Sequence, residues 1–235
     1  MEQLRNEAFQ LGASKAKLIP ASSIVIDERV RLKCLVPLCD KYNQNLMCPP
    51  NLPSLDEFRK SIRKYSNALF VQLAFQKKRR ISKTEIRRYG LRLHKIIHQL
   101  EREAFSSGYP LAAGLIGGSC KLCRRCVGPN HPCRHPLMAR PSVEGMGIDV
   151  IQTANRIGLP FDFSSRNHLF WNGLLLIEWF PKSRITQTKA QSFPIIDFLT
   201  IASVTSAEFT FTLHLKGGWV YLSIWVLSMS DECLI

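Results

Sequence analysis

Four cysteines that lie within fourteen residues of one another indicate a metal centre. They are Cys120, Cys123, Cys126 and Cys133, and the first three follow a C-x2-C-x2-C spacing. A cubane iron–sulfur cluster needs thiolates that converge from one tight loop, and bacterial ferredoxins open their ligand run with this spacing. Zinc sites more often pair one C-x2-C with a distant second pair. The spacing therefore predicts a [4Fe–4S] cluster on these four residues, with zinc as the alternative.

A second group of cysteines lies upstream, at Cys34, Cys39 and Cys48, and two prolines follow Cys48 directly. A proline has a fixed φ and no N–H, so it keeps the preceding residue out of a helix. Three thiolates leave a tetrahedral set incomplete, so the fourth ligand could be Cys233, a histidine, a carboxylate or an exogenous molecule. Ordinary buried cysteines are the alternative interpretation. We expect these three cysteines to form a second metal site, which could hold a second iron–sulfur cluster.

Longer stretches around both groups resemble a known protein family. They are the Gly117–Cys126 run GGSCKLCRRC, the Pro132–Pro136 run PCRHP, the Ala139–Val150 run ARPSVEGMGIDV and the Cys39–Pro50 run CDKYNQNLMCPP. Together they resemble a prokaryotic family of predicted metal-binding proteins, domain of unknown function 2284, over about residues 1 to 180. The resemblance implies metal binding through cysteines, in an iron–sulfur form. It implies no reaction, because the family itself is uncharacterised.

Charge and composition divide the chain into two parts. Residues 182–235 carry four Lys+Arg and four Asp+Glu, so the whole net charge of +14 lies in residues 1–181. The tail is apolar, and its run from Trp219 to Leu227 is too short for the ~20 residues of a membrane span. Its aromatic and β-branched content favours a strand. We therefore predict a cysteine-rich domain at 1–181, an atypical apolar extension at 182–235 and no membrane span.

The cellular compartment follows from the eight cysteines and the polar first residues. No apolar segment typical of a signal peptide is visible near the start of the sequence. In a reducing compartment, clustered cysteines bind metal more often than they form disulfides. The sequence therefore predicts a cytoplasmic protein.

The hydrophobic pattern of residues 1–181 predicts an α/β (α+β) fold, with a mixed sheet flanked by helices and with cysteine-rich loops at strand ends. Ser54 and Glu57 form a capping-box pattern, and Ser142 is expected to cap a later helix. The expected helices are 2–11, 54–65, 83–107 and 143–157, and the expected strands are 24–26, 68–75, 111–116 and 174–177.

The third expected helix carries much of the positive charge. Its basic residues lie mainly off its apolar face and follow the run Lys77–Arg80; they are Arg87, Arg88, Arg92, Lys95 and Arg102. The Lys77–Arg102 stretch could bind a redox partner, another acidic protein or nucleic acid. A solvated helix face is the favoured interpretation, because no base-stacking aromatic residues are interleaved.

Four histidines complete the candidate residues. His94 and His98 lie four apart on this helix, and we expect them at its surface, because the glutamate of a zinc-protease motif is missing. His131 and His135 flank Cys133 and could bind the metal, hydrogen-bond a cluster sulfide or serve only as loop residues. No dinucleotide, phosphate-loop or nucleophile-elbow motif is present, so the sequence predicts no catalytic residue and leaves enzymatic activity uncertain.

The sequence as a whole favours an iron–sulfur protein with an electron-transfer or redox role. Cations between and beside the ligands should stabilise the more negative reduced cluster and raise its potential; they are Lys121, Arg124, Arg125 and Arg134. One alternative is a zinc-stabilised module that binds nucleic acid or an acidic partner. The other is an iron–sulfur enzyme with an open iron at the three-cysteine site.

Overall fold

A computed structural model describes residues 1–76, 81–159, 168–179, 209–215 and 218–224, the last two ranges by their backbone alone. The helices are α1 (Glu2–Gln10), α2 (Glu28–Leu32), α3 (Leu55–Ile62), α4 (Lys83–Ser106) and α5 (Val150–Arg156). The strands are β1 (Lys15–Pro20), β2 (Asn67–Gln76), β3 (Ala113–Ile116), β4 (His168–Ile177), β5 (Phe209–Leu215) and β6 (Gly218–Ile224).

Four of these strands form one sheet in the order β1–β2–β4–β3. Its three strand pairs are all antiparallel, whereas the sequence predicted a mixed sheet. A single parallel bridge between Ile116 and Ser142 extends the β3 edge. The predicted class, helices packed on a β-sheet, is confirmed.

Alternation along the central strands builds a hydrophobic core on each face of the sheet. Leu69, Val71 and Leu73 of β2 join the core that includes residues of α1 and α4. Ala68 and Phe70 point to the other core, with Phe58 and Ile62 of α3 and Ala154 of α5. Successive side chains of a strand point to opposite faces, so one central strand supplies both cores. The sheet therefore forms a rigid layer covered by helices on both sides.

Capping boxes define the beginnings of two helices. The Ser54 hydroxyl accepts from the Glu57 N–H, and the Glu57 carboxylate accepts from the Ser54 N–H, as predicted. Ser82 and Glu85 form the same pair at the start of α4. Each box satisfies backbone donors that the first helical turn leaves unpaired. The long helix α4 therefore begins at a defined residue, which matters because α4 supports the cysteine loop.

Among the described residues of the first 181, two predicted elements were wrong, and the short helix α2 and one strand were missed. Residues 24–26 form no strand, and Ile26 makes only an isolated bridge to Ile148. The helix predicted from residue 143 begins at Val150, with the Asp149 carboxylate accepting from the Gln152 N–H. The Ser142 hydroxyl does accept from the Gly145 N–H, but the chain there forms a turn. The missed strand is β1.

The chain divides into two compact units, Met1–Arg184 and Ile185–Ile235. In the second unit, β5 and β6 form an antiparallel hairpin in which Phe209 is opposite Ile224. The strand predicted from Trp219 onward is therefore present as part of β6. Cys233 and the basic run 77–80 lie outside the described residues.

Removal of the tail is expected to leave the cysteine-rich unit intact. The seven cysteines before residue 182 and all elements of the four-stranded sheet lie upstream of this point. A chain that ends after Lys182 should therefore keep the metal content and thermal midpoint of the full chain. Metal analysis and thermal unfolding of both proteins check this. Loss of metal, or a midpoint lower by more than about 8 °C, would make the tail an integral part of the fold.

Candidate metal centre

The loop that carries Cys120 to Cys133 leaves β3 and returns beside it. The Ile116 N–H donates to the Pro141 carbonyl at 3.0 Å, and the Val143 N–H donates to the Ile116 carbonyl at 2.9 Å. These two bonds join the ends of the loop. At its start Gly118 has φ +71°, a conformation that glycine adopts without strain. Both ends of the loop are therefore anchored to β3, at the edge of the sheet.

Helix α4 supports the same loop from one side through three residues spaced seven apart. The Arg87 guanidinium donates to the Leu122 carbonyl at 3.1 Å. His94 Nε2 lies 2.7 Å from the Met138 carbonyl, and Glu101 accepts from Arg140 Nε at 2.5 Å. Seven residues make about two helical turns, so the three side chains share one face. This face therefore holds the loop near both of its ends, at Leu122 and at Met138 to Arg140.

The four predicted ligands of this loop come together around one cavity. Cys120, Cys123, Cys126 and Cys133 all line it, beside Asn45 and other loop residues. The His135 N–H donates to the Cys133 sulfur at 3.4 Å. The cavity has a volume of about 20 Å³, room for about one water molecule.

The donor set of this cavity fits a thiolate-bound metal. Burial raises the pKa of the Cys120 thiol, and negative charge on Cys133, Cys126 and Cys123 would raise it further. A metal cation offsets this cost, because a coordinated thiol is deprotonated. Soft thiolate ligands select iron–sulfur clusters and zinc. Among the described residues, no three potential ligands lie close enough to hold a single ion without rearrangement.

The second cysteine group lies on the segment between α2 and α3. The Cys39 N–H donates to the Cys34 carbonyl at 3.1 Å, and the Cys48 N–H donates to the Asn45 carbonyl at 3.0 Å. Burial, together with the charges of Cys39, Cys34 and Glu144, raises the pKa of Cys48 to about 12. Burial also raises the pKa of Cys34, again with contributions from Cys39 and Glu144. Negative charge on Cys39 and Glu144 therefore disfavours the thiolate forms of both Cys34 and Cys48.

A hydrogen bond from Asn45 joins the two cysteine groups, and Lys121 is held within the first of them. Asn45 is buried, and its Nδ2 donates to the Cys120 carbonyl at 3.0 Å. Lys121 is half-buried, and its Nζ donates to the Ser119 carbonyl and hydroxyl, both at 3.1 Å. Burial lowers the pKa of Lys121, against the opposing charges of Cys48, Cys120 and Glu144. The Lys121 cation is therefore held at Ser119, and its charge favours the thiolate forms of Cys48 and Cys120.

Sequence reasoning missed Asn45 and Glu144. Both occur inside the motif runs around the cysteines, but neither has a metal-binding spacing of its own. The signal available for Asn45 was its position between two candidate ligands, Cys39 and Cys48. Glu144 could have been suspected as a carboxylate within the ARPSVEGMGIDV run.

The histidines and arginines that the sequence singled out differ in how deeply they are buried. His94 is fully buried, so its predicted surface location was wrong, while His98 is half-buried and lies 3.2 Å from Arg140. His135 lines the cavity, and His131 is exposed. The side chains of Arg124, Arg125 and Arg134 are exposed beside the ligands. Within the described ranges, no helix is both long and apolar enough to cross a membrane.

Comparison with known proteins identifies the family of this chain. The family model described as "predicted metal-binding protein", domain of unknown function 2284, matches residues 17–177, which is more than half of the chain. Searches of curated proteins and of solved structures gave no match. The matched segment contains both cysteine groups, Asn45, Lys121 and Glu144. The chain therefore belongs to this family of predicted metal-binding proteins.

Proposed function

We propose that the chain is a cytoplasmic iron–sulfur protein with an electron-transfer role. Cys120, Cys123, Cys126 and Cys133 would hold a [4Fe–4S] cluster, which supplies one-electron redox chemistry when bound. The observation that carries the proposal is that four thiols with ferredoxin-like spacing line one cavity. Cys34, Cys39 and Cys48 would hold a second centre beside the first.

The surroundings of the first group support a redox role. Lys121 is half-buried in the loop of the first group, and three arginines lie exposed beside the ligands; they are Arg124, Arg125 and Arg134. Reduction adds a negative charge to a cluster, so nearby cations favour the reduced form and raise the potential. The same exposed arginines would attract an acidic redox partner to this loop and increase its rate of association.

A second candidate function is a zinc-stabilised module that binds an acidic partner or nucleic acid. It is favoured by a groove of about 370 Å³ along the outer face of α4. The groove is lined by Leu11, Arg88, Leu91, Arg92, Lys95, Ile96 and Gln99. Three cations around an apolar floor suit an acidic, partly apolar segment. In this function the cysteines would bind zinc for stability, without redox chemistry.

Metal identity separates the two candidates. Protein purified without oxygen is expected to be brown, to absorb broadly near ~400 nm and to contain iron and acid-labile sulfide in equal amounts, as cysteine-bound cubanes do. Visible absorption and metal and sulfide analysis check this. Colourless protein with tightly bound zinc and no sulfide would contradict the iron–sulfur proposal and support the zinc module.

A further inference from the structure

The outer face of α4 carries a row of three cations. Arg88, Arg92 and Lys95 follow one another at intervals of four and three residues, so they lie along one side of the helix. All three are exposed, and none forms an ion pair or a side-chain hydrogen bond with another residue in the part of the chain that the structure describes. Like charges at these intervals repel one another and destabilise a helix. A bound anionic partner would relieve this repulsion.

The side chain of Arg92 lies against the turn that ends α1. A Cβ atom added to Gly12 would overlap Arg92 Nη2. Gly12 has φ +96°, a conformation that other residues rarely adopt, and its N–H donates to the Phe9 carbonyl at 2.9 Å. The glycine after α1 therefore leaves the space that the Arg92 side chain occupies, and this cation is held beside the end of α1.

A groove of about 370 Å³ lies beside the row of cations, between α4 and the end of α1. Its apolar floor consists of Leu11, Leu91 and Ile96. Ile96 is buried in the core shared by α1 and α4, and Leu11 packs against that core. The volume is within the range of pockets that bind small ligands. Aliphatic side chains below a row of cations suit a partner that supplies both carboxylates and an aliphatic side chain.

The charge of the groove changes along its length. Gln99 lines it one helical turn beyond Lys95, and Gln99 Nε2 donates to the Glu7 carboxylate at 3.5 Å. One end of the groove therefore presents cations, whereas the other presents an amide beside a carboxylate. This asymmetry favours one direction for a bound segment, with its acidic residues on the cations and a neutral or basic residue near Glu7.

The lining of the groove favours a protein segment over nucleic acid. Phosphates would pair with the cations but would leave the apolar floor without a partner. Proteins that bind single strands also stack the bases on aromatic side chains. Among the described residues that line the groove, none is aromatic. The combination of cations and aliphatic side chains therefore fits an acidic segment of a protein.

We propose that this groove is the docking site for an acidic protein segment. Its carboxylates pair with the three cations, and an aliphatic side chain among them packs on the apolar floor. The inference goes beyond both candidate functions, because it holds whichever metal the cysteines bind and commits the groove to one class of partner. Its failure would leave the proposals for the metal centre unaffected.

The fluorescence anisotropy of a labelled peptide of alternating Glu and Leu, titrated with the full chain, tests the proposal. Arg92→Glu combined with Lys95→Glu should weaken binding at least about tenfold, because repulsion replaces attraction at two adjacent positions. Arg63→Glu combined with Lys64→Glu is the matched control. It makes the same change in net charge at two exposed residues that follow α3, which packs on the other face of the sheet. This control should change the affinity by less than about twofold, because salt screens distant charges.

Leu91→Gln tests the apolar floor, since it keeps the charge and the helix propensity of the position. It should weaken binding of the Glu–Leu peptide roughly fivefold, because aliphatic area is no longer buried. A peptide of alternating Glu and Ser should likewise bind the unaltered chain more weakly than the Glu–Leu peptide does. Equal thermal midpoints of the variants and the unaltered chain show that the fold is intact.

Four results would overturn the proposal. The first is no measurable binding of the Glu–Leu peptide at low salt. The second is equal weakening by both double substitutions, which would show attraction to the net charge alone. The third is equal binding of the Glu–Leu and Glu–Ser peptides, which would show that the floor is not used. The fourth is tighter binding of an oligothymidine that depends on Arg92 and Lys95, which would indicate a surface for nucleic acid.

Discussion

Replacing Cys123 by alanine is expected to abolish the first metal centre and to destabilise the protein strongly. Binding free energy of a structural metal is also folding free energy, and it amounts to roughly 10–16 kcal/mol for zinc in small domains. We expect a loss of at least about 4 kcal/mol, which lowers the thermal midpoint by roughly 8 °C or more at this size. Anaerobic visible absorption, iron and sulfide analysis and thermal unfolding measure both effects.

Cys39→Ala is the informative comparison, because it removes a thiol of the neighbouring group. The visible spectrum of the first centre should persist in this variant, while iron from the second site is lost. The Asn45 bond to the Cys120 carbonyl makes the two groups adjacent, so the comparison also tests whether they act as one. If each substitution removed the same single cluster, the two-site interpretation would be wrong.

The elements that support the site could be predicted where local sequence and packing agree. The α3 capping box is contained in four consecutive residues beginning at Ser54. Strand β2 was predicted as central from its apolar composition, and it lies between β1 and β4. The apolar face of α4 was also predicted, and Leu93, Ile97, Leu100 and Ala104 lie in the core. In each case the local sequence pattern and the tertiary contacts favour the same helix or strand.

The predictions failed where a contact with a distant residue overrides the preference of the local sequence. Ser142 resembles a helix cap, and its hydroxyl does accept a nearby N–H. The following Glu144, however, binds Gly118 of the cysteine loop, and Gly147 has φ +75°, which is not helical. The helix therefore begins only at Val150, after the capping residue Asp149. Strand β1 was missed because it is an edge strand with two lysines and a proline, features that protect edges but lower β-propensity.

The candidate ligands could be predicted, but their supports could not. Cysteine spacing indicates metal chemistry directly, and the four thiols of the first group do line one cavity. The seven-residue spacing of Arg87, His94 and Glu101 has meaning only once the loop is known to lie across α4. Their partners are Leu122, Met138 and Arg140, which lie 35 to 44 residues away in sequence. No local pattern carries such pairings.

Burial of His94 leads to a pH-dependent stability that a surface histidine would not produce. Burial, with smaller contributions from the charges of Arg140, His98 and Lys121, lowers the pKa of His94 from 6.5 to about 4, against the opposing hydrogen bond to Met138. The unfolded chain therefore binds a proton that the folded chain does not. Stability should be complete above pH 6.5 and fall by about 3 kcal/mol as the pH falls to 4.

His94→Gln tests this, because glutamine can donate to the Met138 carbonyl and does not titrate. Between pH 6.5 and 4 the variant should lose about 3 kcal/mol less stability than the unaltered chain, measured by urea unfolding at each pH. His131→Gln is the matched control, since His131 is exposed, and it should follow the unaltered chain. Other titrating groups cancel in these differences. Parallel pH profiles for all three proteins would show that His94 takes up its proton without cost. That result would contradict a buried, neutral His94, whose Nδ1 has no hydrogen-bond partner among the described residues.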